Sequence, residues 1–119
     1  MKRTLITLCG FLLAAPGVYA ADAAKTAFAN RGASLFKSNC VACHGAEGKG
    51  DGPSGRYLPT RPANLTMSKA PDEYLKLIIT EGGDAMGRSA SMPAWGAALT
   101  NTDIDSIILH INTLRPPLN

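Results

Sequence analysis

What the sequence lacks narrows it first. Its longest apolar run, Leu5 to Ala15, holds about ten residues interrupted by Thr7 and Cys9, well short of the roughly 20 a membrane-spanning helix needs. No block of like charge is present, which removes nucleic-acid-binding arms and acidic tails. There is no repeat and no low-complexity tract, so solenoid and linker architectures are excluded. No stretch alternates apolar and polar residues convincingly enough to read as a strand. Apolar residues are not depleted, which excludes a disordered chain. The 119 residues suffice for one domain and not for two, and that domain must make do with a small core.

The N-terminus reads as a processing segment. Lys2 and Arg3 form a positive start, Leu5 to Ala15 is the short apolar run, Pro16-Gly17 breaks it, and Val18-Tyr19-Ala20 supplies small residues where a signal peptidase cuts. Residues 1–20 are therefore expected to be a cleaved secretory signal, and residues 21–119 the mature domain. Cys9 leaves with the leader; Leu8 before it is too large for a lipoprotein signal, so no lipid or membrane anchor is expected. The mature part keeps ten basic and nine acidic residues, a net charge of +1, so steering by net charge must be weak.

Cysteine is scarce in the same informative way. After cleavage only Cys40 and Cys43 remain. An exported protein with two cysteines ordinarily carries a disulfide. Three positions apart, these two would close too small a ring to constrain much chain.

Three segments carry helical period. Near Thr26 to Ser38, Phe28, Gly32, Leu35 and Phe36 share one face. Near Pro71 to Glu81, Pro71, Asp72 and Glu73 suit a helix start, Tyr74, Leu77 and Ile78 form the expected buried stripe, and Gly82-Gly83 stops it. Near Asn101 to Leu114, Thr100-x-x-Asp103 reads as a capping box. Ile104, Ile107, Ile108, Ile111 and Leu114 repeat behind it, and Pro116-Pro117 ends the helix. The stretches His44 to Ala70 and Gly82 to Leu99 are long and irregular. Such loops suit a compact domain only if they wrap a large object at its centre.

Cys40-Val41-Ala42-Cys43-His44 names that object. C-x-x-C-H is the attachment signal of a c-type haem. Two cysteines three apart on a helical turn project to one side and can bond the two vinyl-derived carbons of a porphyrin edge. The adjacent histidine then reaches the iron as a neutral imidazole. Two alternatives use the same residues. A thioredoxin-like dithiol needs a βαβ context that is missing. A zinc site would have to recruit His110 to complete four ligands.

A methionine is the expected second axial ligand, since a soft neutral thioether favours ferrous iron and raises the potential. Of Met67, Met86 and Met92, the last is favoured. Pro93 stiffens the backbone after it, Trp95 gives an aromatic wall, and the last helix follows directly. Met86 sits between glycines without support, and Met67 is read as a packing residue. His110 is read as a helix-packing histidine.

Together these motifs resemble bacterial monohaem class I c-type cytochromes. The resemblance covers nearly all of the mature chain. It rests on Cys40 to His44, Gly48-Lys49-Gly50-Asp51-Gly52-Pro53, Arg61-Pro62-Ala63-Asn64-Leu65, Met92-Pro93-Ala94-Trp95 and Leu99-Thr100. It implies an all-α cytochrome c fold, three main helices and long loops wrapped around one covalently bound haem c. The first and last helices would cross at Gly32 and Phe36, and His110 stands where relatives usually carry an aromatic. It also implies a proline carbonyl accepting a hydrogen bond from the ligand histidine, with Pro62 the first choice and Pro53 the second. Arg61, Tyr57 and Trp95 are then candidates for the haem propionates.

The function expected is one-electron transfer between exported redox proteins in the periplasm. No nucleic acid and no open substrate site are expected, so the chain is not read as an enzyme. Two arrangements remain open, a monomeric carrier meeting its partners transiently and a dedicated haem subunit of a dehydrogenase or reductase complex.

Overall fold

The computed structural model describes residues 17–117; the apolar run of the expected leader lies outside the described residues. Four α-helices follow in order: α1 (Gly17–Asn39), α2 (Val41–His44), α3 (Asp72–Ala85) and α4 (Asn101–Leu114). Two single 3₁₀ turns, Gly55–Tyr57 and Leu65–Met67, interrupt the long connection between α2 and α3. Among the described residues there is no strand, so the all-α expectation holds. No helix among them is long and apolar enough to cross a membrane.

The best-specified element is α4. Thr100 accepts a hydrogen bond from the Asp103 amide, and the Asp103 carboxylate accepts one from the Thr100 amide, which closes the expected capping box. Its apolar stripe buries Ile104, Ile107, Ile108 and Ile111. Each such side chain is worth about 1.5–3 kcal/mol on burial, against about 1 kcal/mol for a cap. Packing therefore holds this helix, and the box fixes where it starts.

α1 lies across α4. A methyl group on Gly32 would sit 1.9 Å from the Ser106 carbonyl oxygen, so only glycine lets the two backbones come this close. One turn on, Phe36 is 1% exposed and its ring meets that of His110 at 5.0 Å between centroids, tilted by 55°. His110 thus takes an aromatic's place against Phe36. Arg31 on α1 pairs with the buried Asp103 at the start of α4.

Two helix expectations need correction. α1 begins at Gly17 rather than near Thr26, because the alanine-rich stretch before Phe28 has high helix propensity while residues 19–27 are exposed. Apolar period reports only the packed part of such a helix. In α3 the buried stripe is Leu75 and Ile79, with Leu77 51% exposed. The helix is rotated so that positions 75, 78, 79 and 82 face inward, an i, i+3, i+4, i+7 pattern. Met67 also fails as a packing residue: it is 77% exposed, and Leu65 is the side chain of its turn that enters the core.

Candidate haem site

The Cys-x-x-Cys-His segment folds as one tight turn at the end of α1. The His44 amide donates to the Cys40 carbonyl (2.8 Å) and the Cys43 amide to the same oxygen (3.1 Å). The glycine-rich stretch that follows folds back over this turn. Gly50 donates to the His44 carbonyl (2.7 Å), Gly52 to the Cys43 carbonyl (3.1 Å) and Ser54 to the Ala42 carbonyl (2.8 Å). Three carbonyls left over at a helix end are thus satisfied by one loop. The Gly48 to Pro53 motif is the device that holds the Cys40–His44 turn in shape.

Cys40 and Cys43 are both free and partly buried. Burial, reinforced by the neighbouring Cys43, pushes the Cys40 thiol up to about 12. A redox dithiol relies on a lowered thiol pKa, so this is the wrong environment for thioredoxin-like chemistry. The zinc alternative lacks its fourth ligand, because His110 packs on Phe36 and does not line the cavity bounded by Cys40, Cys43 and His44.

His44 is held by Ala63. Its Nδ1 lies 3.1 Å from the Ala63 carbonyl oxygen, which can only accept. Nδ1 therefore carries the proton and Nε2 presents a lone pair. Burial lowers the His44 pKa and outweighs the opposing effect of the Ala63 bond, which favours the neutral ring an iron ligand requires. The resemblance points to Pro62 or Pro53 as this acceptor, and the structure has Ala63 instead. Pro62 fails because its carbonyl is turned toward Gly50, where an added methyl would meet it at 2.4 Å. The Pro62 ring still lines the cavity. Pro53 is exposed and lies outside the cavity lining.

The Met92 loop is positioned by the end of α3. Gly82 adopts φ +83°, and the regular helix stops there as expected, although one more turn runs on to Ala85. The break lets α3 receive the loop. Gly83 donates to the Met92 carbonyl (2.9 Å), Trp95 to the Ile79 carbonyl (2.9 Å) and Gly96 to the Thr80 carbonyl (3.1 Å). A side chain at Gly82 would meet the Ala94 amide at 2.9 Å, and the positive φ would strain it as well. The pair that ends the helix therefore also seats the methionine.

These two pieces face one cavity of about 640 Å³, mainly apolar in lining and within the ~300–1,000 Å³ of small-molecule and cofactor sites. The structure brings Cys40, Cys43, His44, Arg61, Pro62, Met92 and Trp95 to its wall. It does not bring Tyr57, which is 83% exposed on the 3₁₀ turn and turned away from the lining, nor Met86. Among the lining residues that the sequence reading did not assign to the site are Tyr74 and Arg88, joined by a hydrogen bond from Arg88 Nε to Tyr74 Oη (3.1 Å). The one signal that pointed at Tyr74, its place on the α3 stripe, suggested packing. Arg88 lies in a loop without period. Among the described residues no Asp or Glu lines the cavity, whereas Arg61 and Arg88 do.

A covalent haem fits this donor set. The wall offers two thiols beside one imidazole, a neutral sulfur on a separate loop, an apolar interior for a flat macrocycle, and guanidinium groups for two carboxylates.

The comparisons agree. The family described as cytochrome c oxidase, cbb3-type, subunit III matches residues 27–111. Among curated proteins, the cbb3-type cytochrome c oxidase subunit FixP of Azorhizobium caulinodans is 34% identical over 109 residues, covering 85% of this chain and 30% of its own. Subunit CcoP of Cereibacter sphaeroides is 34% identical over 101 residues, 78% of this chain and 29% of its own. The chain thus spans less than a third of the length of these relatives. A chain of the Kuenenia stuttgartiensis reducing HAO-like protein complex shares the fold, with a TM-score of 0.59, 24% identity, and coverage of 71% of this chain and 41% of its own.

Proposed function

Since the chain belongs to the cbb3-type cytochrome c oxidase subunit III family of c-type cytochrome domains, we propose that it is a one-electron carrier. In this reading Cys40 and Cys43 would hold one haem c covalently, and His44 and Met92 would supply its protein ligands. When bound, haem supplies an iron that gains and loses one electron reversibly. The chain's own residues do the rest. Ala63 fixes the His44 tautomer, the Gly82–Gly83 break seats Met92, and the buried core keeps water from the cavity floor. Arg61, Arg88 with Tyr74, and Trp95 are the groups placed to meet the propionates. His44 and Met92 would both be committed to holding the haem, so the chain's residues would serve electron transfer rather than catalysis. The observation that carries this reading is the convergence of Cys40, Cys43, His44 and Met92 on one mainly apolar cavity.

Residues 1–20 act, in the same reading, as a secretory leader removed on export to the periplasm. The chain's redox partners are then exported or membrane proteins. A subunit role in an oxidase or related complex is favoured over a free carrier by the FixP and CcoP relatives. Haem staining after denaturing electrophoresis tests the core of the proposal. A positive band of mature mass, with one haem per chain by alkaline pyridine assay, is expected; a colourless band overturns it. The intact mass of exported protein reads the leader, and gel filtration of a native extract separates a complex from a free carrier.

A further inference from the structure

We propose, building on the haem reading above, that Arg115 is a positioning residue: its guanidinium clamps the Ser68–Asp72 segment to the end of α4 and so sets how tightly that wall closes over the haem. Arg115 follows α4 directly, and its side chain is 2% exposed. Its donors are almost fully used. Nε donates to Asn112 Oδ1 (2.8 Å) and Nη2 to the same oxygen (2.6 Å). Nη1 donates to the Ala70 carbonyl (2.5 Å) and, more weakly, to that of Ser68 (3.4 Å); Nη2 also meets Asp72 Oδ1 (3.0 Å). Asn112 Nδ2 closes the ring by donating to both Asp72 oxygens (3.0 and 3.1 Å). This network joins the first residue of α3 to the last turn of α4.

The clamp is not needed to hold either helix, since both bury apolar stripes. What it holds is the irregular segment between Met67 and α3, whose Ser68 and Ala70 line the cavity. That wall has no covalent link to the haem, unlike the Cys40–His44 turn. Only a planar fork with several donors can serve two carbonyls, a carboxylate and an amide at once; the lysine ammonium cannot. A looser wall admits water, which favours the ferric charge and lowers the potential.

The test uses the exported holoprotein with Arg115→Lys, Asp72→Asn and the double substitution. Expected for Arg115→Lys are wild-type covalent haem content, a lower midpoint potential, and loss of the ferric methionine–iron band at lower urea than the far-UV CD transition. Asp72→Asn shifts both in the same direction, and the double variant shifts them by less than the sum. An unchanged potential and band in Arg115→Lys overturns the inference while leaving the haem reading intact. Absence of covalent haem from the wild type overturns the haem reading itself.

Discussion

The turn that carries His44 and the loop that carries Met92 face one cavity but are built differently. The histidine side is local apart from the Ala63 carbonyl that accepts from His44. Ligand, both cysteines and the loop that braces them fall within residues 40–54, and the bracing bonds run backbone to backbone. The methionine side is assembled from a distance. Met92 depends on a break at Gly82 and on backbone bonds between its loop and α3, and another wall of the same cavity, Ser68 and Ala70, is tied down by Arg115. A small chain can make half of its site rigid through a short covalent and backbone-bonded segment. The other half stays dependent on the fold, and that half governs water access and potential.

The largest effect expected from breaking this contrast lies on the histidine side. Cys40→Ala with Cys43→Ala should abolish covalent haem altogether, leaving nothing for haem stain to detect. Next comes the crossing beneath both halves. Gly32→Ala gains up to about 1 kcal/mol of helix propensity but drives a methyl into the Ser106 carbonyl. Overpacking of this kind costs about 1–3 kcal/mol, so the urea midpoint should fall. Gly82→Ala places a side chain at φ +83°, a strain of about 1–3 kcal/mol. It should weaken the ferric methionine–iron band while haem stain stays positive, which separates the two halves directly.

The smallest effects are at the start of α4. Thr100→Ala should cost about 1 kcal/mol. Asp103 is held below the ordinary carboxylate range, first by its bonds with Thr100 and then by Arg31, against the opposing effect of burial. Its stabilisation is thus complete above the ordinary carboxylate pKa and lost as pH falls through the lowered one. Asp103→Asn should flatten the acid limb of a stability–pH curve and leave the neutral limb shaped as before.

Legibility in the sequence followed the same divide. Cys40 to His44, the Thr100–Asp103 box and the isoleucine stripe of α4 are written in adjacent residues, and the structure has them where period and spacing put them. Gly32 was legible through the family resemblance, which puts the helix crossing there, and the structure has the close approach at that position. What failed depended on where distant backbone runs. The acceptor for His44 is Ala63 and not Pro62 because one peptide unit is turned toward Gly50. Tyr57 was placed at the haem by resemblance, and its turn points it outward. Nothing local assigns Arg88 or Arg115 to the cavity: Tyr74, the partner of Arg88, lies 14 residues away, and although Asn112 is near Arg115, its partners Ser68, Ala70 and Asp72 lie 43 to 47 residues away.

The central claim is that one iron sits between His44 and Met92, and the ferric visible spectrum of paired methionine variants tests it most directly. Met92→Ala should lose the methionine–iron charge-transfer band and fall in potential, while Met86→Ala keeps both. A band that survives in Met92→Ala, or one that disappears in Met86→Ala, contradicts the account.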